Sequence, residues 1–215
     1  MKQKTFLIIG MGSFGHHLCR CLTEQGGEVM IVDRDATKVE DMLHIAASAK
    51  IGDCTNPEVL RSFGVPDFDT CFVCIGEDFQ NSLIITDLLK ELGARCVFSE
   101  ASKDRQEKFL MHNGADYVVF PEKDIAYRLA VSVCNDTVFD YISLAGSYGI
   151  FEISSPRQWV GKSLRELNVR ATHGLNILAY KKDGQVHPIM DAEYVFGEQE
   201  HLLVMGNLDD VRRVK

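Results

Sequence analysis

The chain has 215 residues, 46% hydrophobic and 25% charged, with a formal net charge of -8. That length allows one ordinary globular domain and a smaller companion, while an acidic balance without clustered Lys or Arg excludes a nucleic-acid binder that works by neutralising phosphates. No stretch approaches the ~20 apolar residues of a spanning helix, and the run from Phe6 to Ile9 is too short for a signal-peptide core.

A cytoplasmic location is therefore expected, and the seven cysteines agree with it. Their number is odd, and they are scattered through segments that read as core, as in a reducing compartment. Cys71 and Cys74 form a C-x-x-C, but an odd spacing on a strand sends the two side chains to opposite faces, which makes buried small hydrophobes of them rather than a redox or metal pair.

Along the chain, short β-rich runs alternate with longer helical stretches. The strand candidates are Phe6 to Ile9, Val29 to Val32, Ser48 to Ile51, Cys71 to Ile75, Cys96 to Ser99 and Tyr117 to Phe120, with five helical segments between them. Nearly continuous apolar strands alternating with helices predict a parallel sheet covered on both faces, a complete Rossmann unit. Thr55-Asn56-Pro57-Glu58 has a capping-box spacing, so a helix capped by Thr55 is expected to run to about Phe63, where Gly64 stops it. After Pro121 a helix follows whose Ile125, Ala126, Leu129, Ala130, Val133 and Cys134 line one face and need a partner surface.

Beyond about residue 138 the pattern changes. Ile150 to Ile153 reads as a strand, and Ser163-Leu164-Arg165-Glu166 is a capping box opening a short helix. Ile177 to Tyr180 and Val186 to Ile189 flank Lys181-Lys182-Asp183-Gly184, a hairpin turn. His201 to Met205 is a last strand, and a short helix begins at Asn207. The expected organisation is thus a Rossmann-like α/β domain over 1–138, with its trailing helix, and a small α+β domain over 139–215.

The chemistry sits in the first part. Gly10-Met11-Gly12-Ser13-Phe14-Gly15 follows the first strand and opens the first helix, the context a dinucleotide fingerprint requires. Its glycines allow a tight turn and close backbone approach to a pyrophosphate, and the helix start offers N–H groups to the phosphates. Asp33, beside Arg34 at the end of the second strand, stands where an acid accepts the adenosine ribose hydroxyls; its charge also disfavours the 2′-phosphate of NADP.

These residues carry a resemblance. Ile9 to Gly15, Val32-Asp33, Gly52-Asp53-Cys54-Thr55, Gly114-Ala115-Asp116, Pro121-Glu122-Lys123-Asp124 and Leu167-Asn168-Val169-Arg170 together make the chain similar to the RCK (KTN) regulatory proteins, the cytosolic gating subunits of Trk/Ktr-type potassium uptake systems. The resemblance implies a nucleotide sensor that forms homodimers and then an octameric ring on a membrane-embedded potassium translocation subunit. It implies that NAD, NADH, ADP or ATP binds with its phosphates on Gly10, Gly12 and Gly15, its ribose on Asp33, its adenine flanked by Asp53, Cys54 and Thr55, and Ile75 and Gly76 closing the pocket. Several members carry arginine where this chain has Ser13 and lysine where it has Glu100. Without those cations ATP is no longer singled out, and NAD(H) or ADP stands level with it.

Two further roles come from the resemblance alone. Glu122 matches a glutamate that helps hold Mg²⁺ or Ca²⁺ beside the phosphates, although an acid in a helix's first turn also favours the macrodipole without any metal. Leu164, Asn168 and Arg170 match positions that bind cyclic di-AMP between second domains, against the simpler reading of Arg170 as a solvated surface residue. A nicotinamide oxidoreductase would share the fingerprint but needs a substrate domain larger than the second unit, and a redox-sensing repressor would need a helix-turn-helix, for which there is no pattern.

Overall fold

Leu7 and Ile9 turn to one side of the first strand and Ile8 to the other, and all three are buried. A strand covered on both faces belongs in the middle of a parallel sheet, and that is where the computed structural model, which describes residues 3–214, places it. In chain order the first unit, Met1–Lys123, comprises β1 (Thr5–Ile9), α1 (Ser13–Glu24), β2 (Glu28–Asp33), α2 (Ala36–Glu40), β3 (Ser48–Ile51), α3 (Pro57–Arg61), β4 (Thr70–Val73), α4 (Phe79–Glu91), β5 (Val97–Glu100), α5 (Asp104–His112) and β6 (Tyr117–Val119). The six strands are parallel in the order β3-β2-β1-β4-β5-β6. Cys19 and Val39 of α1 and α2 pack with Ile8 and Ile31 on one face. Leu60, Ile85 and Leu89 of α3 and α4 pack with Leu7, Ile9 and Val73 on the other.

Three local expectations differ from what is observed. The cap of α3 is Asn56, whose side chain accepts the Glu58 N–H at 3.0 Å, with Pro57 in the first turn; Thr55 donates to Asp53 instead. The helix stops at Arg61, short of Phe63, and Gly64 takes the left-handed turn beyond it. Cys71 and Cys74 fall in opposite cores, as their spacing requires, but Cys21 and Cys134 are exposed rather than core.

The second unit, Asp124–Lys215, takes in most of α6 (Pro121–Val133), then β7 (Val138–Ala145), β8 (Tyr148–Ser154), α7 (Leu164–Leu167), α8 (Val169–His173), β9 (Asn176–Lys182), β10 (Gln185–Pro188), β11 (His201–Asn207) and α9 (Leu208–Arg213). Its strands form an antiparallel sheet in the order β10-β9-β11-β8-β7 around Phe151, Trp159, Leu175, Phe196 and Leu202. Asp183 and Gly184, both with positive φ, make the β9–β10 turn, and Ser163 with Glu166 forms the capping box of α7. The division between units lies earlier than 138/139, because Val131 on α6 and Val138 on β7 are buried in the second core. The remaining α6 stripe stays in the open: Ile125 is 68% exposed, Leu129 61% and Val133 72%.

Candidate nucleotide site

A cavity of about 560 Å³ opens at the carboxyl ends of the first unit's strands. The strand order reverses between β1 and β4, and such a switch point leaves a crevice that no crossover connection covers. The loop from β1 to α1 forms its floor. Gly10 has φ +97, and a Cβ there would stand 2.4 Å from the Cys74 carbonyl oxygen. Around Gly12 nothing would meet a Cβ within 4 Å, so its bare backbone faces open space. Gly12 caps α1 without a side chain, and no acid stands in the first turn. The first N–H groups of α1 are therefore left to an outside acceptor, with the positive end of the helix dipole behind them.

Asp33 braces this loop. Its Oδ2 accepts the Met11 N–H at 2.6 Å and its Oδ1 the Asp35 N–H at 2.9 Å. Each carboxylate oxygen keeps further acceptor capacity toward the cavity it lines. Asp53 accepts the Thr55 hydroxyl and N–H at 2.7 and 2.9 Å, and those bonds, with the charge of Arg34, hold its carboxyl below the ordinary range. Burial and the charges of Asp53 and Asp33 push the Cys54 thiol up to about 12. It serves as apolar wall and not as a nucleophile.

On the other side of β1 the wall is acidic. Glu77, Asp78, Glu100 and Glu122 line it, while Arg34 and Lys38 stand on the β2 side. Burial and the charge of Glu122 push the Glu100 carboxyl up to about 7. Ser102 donates to the Gly76 carbonyl at 3.0 Å, and Asp78 caps α4 through the Asn81 N–H at 3.1 Å.

Of the residues expected at the site, Gly10, Met11, Gly12, Ser13, Phe14, Asp33, Arg34, Asp53, Cys54, Thr55, Ile75, Gly76 and Glu122 all line this one cavity. Gly15 does not: it is buried behind the loop, where a Cβ would stand 2.1 Å from the Gly10 carbonyl oxygen, so its role is close packing of helix on loop. Glu122 lines the cavity and is exposed; among the described residues no group of three His, Cys, Asp or Glu stands together closely enough to hold an ion. In the second unit Leu164 packs against the core, Asn168 takes the left-handed backbone between α7 and α8, and Arg170 is exposed.

Comparison with known proteins accounts for both units. The TrkA-N domain matches residues 6–121 and the TrkA-C domain residues 149–215. The chain belongs to the TrkA-N/TrkA-C family. Among members of that family, Ktr system potassium uptake protein C of Bacillus subtilis (strain 168) is 38% identical over 98% of this chain and 96% of its own length. Ktr system potassium uptake protein A of the same organism is 36% identical over 99% of this chain and 96% of its own. The structure of the GsuK channel bound to NAD superposes with a TM-score of 0.69 at 18% identity, over 99% of this chain and 39% of that one, and shares the fold. The chain thus spans well under half of that channel chain.

The TrkA-N cavity also contains residues that the motif reading passed over: Lys38, Glu77, Asp78, Asn81, Ser102 and, as a wall residue, Glu100. The available signal was positional. All but Lys38 lie at or just beyond the carboxyl ends of β4 and β5, where an open α/β sheet places its ligand contacts.

Proposed function

We propose that this chain is a nucleotide-sensing regulatory subunit of a potassium uptake system of the Ktr type. An adenine nucleotide, NAD(H), ADP or ATP, binds along the cavity with its ribose on Asp33, its adenine between Asp53, Cys54 and Thr55, and its phosphates over Gly10 and Gly12. The observation that carries the reading is the uncapped α1 N-terminus held beside Asp33, in a chain 38% identical to a Ktr protein over almost its whole length.

The subunit acts without chemistry of its own. Its α6 stripe joins two copies, dimers assemble into an octameric ring at the cytoplasmic face of the membrane, and the ring engages a membrane-embedded potassium translocation subunit. Among the described residues no helix is long and apolar enough to cross a membrane; in this reading the translocation path belongs to the partner. Nucleotide shifts the ring only if it prefers one geometry, since equal affinity for two states moves neither. A cyclic dinucleotide at Leu164, Asn168 and Arg170 is a separate part of the proposal, with its own binding test.

The decisive experiment is to denature the purified protein and identify what it releases. An adenine nucleotide in roughly stoichiometric amount is expected, together with restored potassium uptake when the chain is co-expressed with its membrane partner in a transport-deficient cell. Protein that releases no nucleotide and binds none in titration overturns the sensor reading.

A further inference from the structure

The cavity's charges are sorted by the sheet. Arg34 and Lys38 are its only wall cations among the described residues, and both stand on the β2 side; the wall over β4, β5 and β6 carries four carboxylates and no Lys or Arg. Three of the four have other company. Asp78 is engaged by the Asn81 N–H and Nδ2 at 3.1 and 2.7 Å, and Glu77 and Glu122 are exposed to water. Glu100 differs. It is 9% exposed, it lines the cavity, and its carboxyl makes no hydrogen bond to any described residue.

A largely buried carboxyl with no protein donor depends on the water of the cavity, and a bound molecule that displaces that water has to supply a donor in its place. The strand order fixes which part of a nucleotide reaches it. With the ribose at the end of β2 and the first two phosphates on the loop after β1, whatever follows the second phosphate lies over β4 and β5, beside Gly76 and Glu100. A side-chain carbon at Gly76 would be 2.8 Å from Glu100 Oε1, so the carboxyl overhangs the end of β4 directly. A third phosphate placed there meets acidic groups and no cation. A sugar hydroxyl or an amide N–H placed there can donate to the carboxylate, and a pyridinium ring brings it a positive charge.

We infer that Glu100 is a specificity-determining residue that bars a third phosphate, so that the cavity selects nucleoside diphosphates and dinucleotides over nucleoside triphosphates. The inference rests on the proposed nucleotide site. The test is calorimetric titration of wild type and Glu100→Gln with ADP, ATP and NAD, in chelator to exclude bridging cations and at about pH 8.5 to hold Glu100 ionised. Wild type is expected to bind ADP about tenfold or more tightly than ATP, and the ratio is expected to collapse toward about one in Glu100→Gln. Tight binding of both nucleotides by wild type with a ratio near one, or a ratio unchanged by Glu100→Gln, overturns the role of Glu100 and leaves the nucleotide site standing. If the variant does not fold, the wild-type ratio alone decides. Failure of wild type to bind all three ligands removes the nucleotide site itself, and this inference with it.

Discussion

The Met11 N–H donates to Asp33 Oδ2 at 2.6 Å, joining the glycine loop to the end of β2. One carboxylate thus fixes the glycine loop and, in the proposed complex, offers its remaining lone pairs to the ribose. Asp33→Ala removes both, so affinity for NADH, ADP and ATP is expected to fall by about 1.5 to 3 kcal/mol, tenfold or more. Calorimetry reads this directly. Undiminished affinity for all three would remove Asp33 from the site.

Glu100 gives a pH signature that needs no ligand. Its carboxyl sits near 7 in the folded protein against 4.5 for the unperturbed group, so between those values the folded state holds a proton that the unfolded state has lost. Stability therefore falls as pH rises from about 4.5 through 7, and the penalty, roughly 3 kcal/mol, is complete above that range. Glu100→Gln is expected to match wild type at low pH and to exceed it in urea melts at pH 8. A constant difference between the two proteins from about pH 5 to 8 would contradict the assignment.

A regulatory ligand is not consumed. NADH is expected to raise the melting temperature in a concentration-dependent way, by mass action on the folded state, while a panel of carbonyl substrates produces no steady loss of its absorbance. Sustained turnover would replace the sensor with an oxidoreductase.

The exposed α6 stripe predicts assembly. Ile125, Leu129 and Val133 remain more than half exposed in a single chain of 24.1 kDa, and a continuous apolar face of this kind is normally covered by a second copy. Light scattering should find a multiple of the chain mass, and Leu129→Asp, which places a charge in the contact, should give monomer or aggregate. A stable wild-type monomer at micromolar concentration, unaltered by Leu129→Asp, would sink the ring.

The parts of the fold that could be read in advance are those where one physical requirement dominates. β1, β2 and β4 are covered on both faces and so appear as unbroken apolar runs, and Gly10 is tied to a backbone geometry few other residues permit, with Asp33 marked by its place at the end of β2. β7 could not be read. Its register shifts between Val138 and Asp140 and again between Ser143 and Ala145, which spoils the two-residue alternation, and Ile142 and Leu144 lie outside the unit's own core. Thr55 does not cap α3 because Pro57 favours the first helical turn, which hands the capping position to Asn56. Lys38, Asn81 and Ser102 reach the cavity only through the path of the chain, and no motif marks them.

The cysteines have a practical consequence. Cys54, Cys71 and Cys74 are buried and held protonated by their surroundings, and alkylation requires thiolate, so a maleimide reagent should pass over them in the native state. Cys21 and Cys134 are exposed, and Cys134 follows α6 by one residue. With Cys21 replaced by serine, a fluorophore attached there would sit at the edge of the apolar stripe and report on subunit association while leaving the cavity untouched.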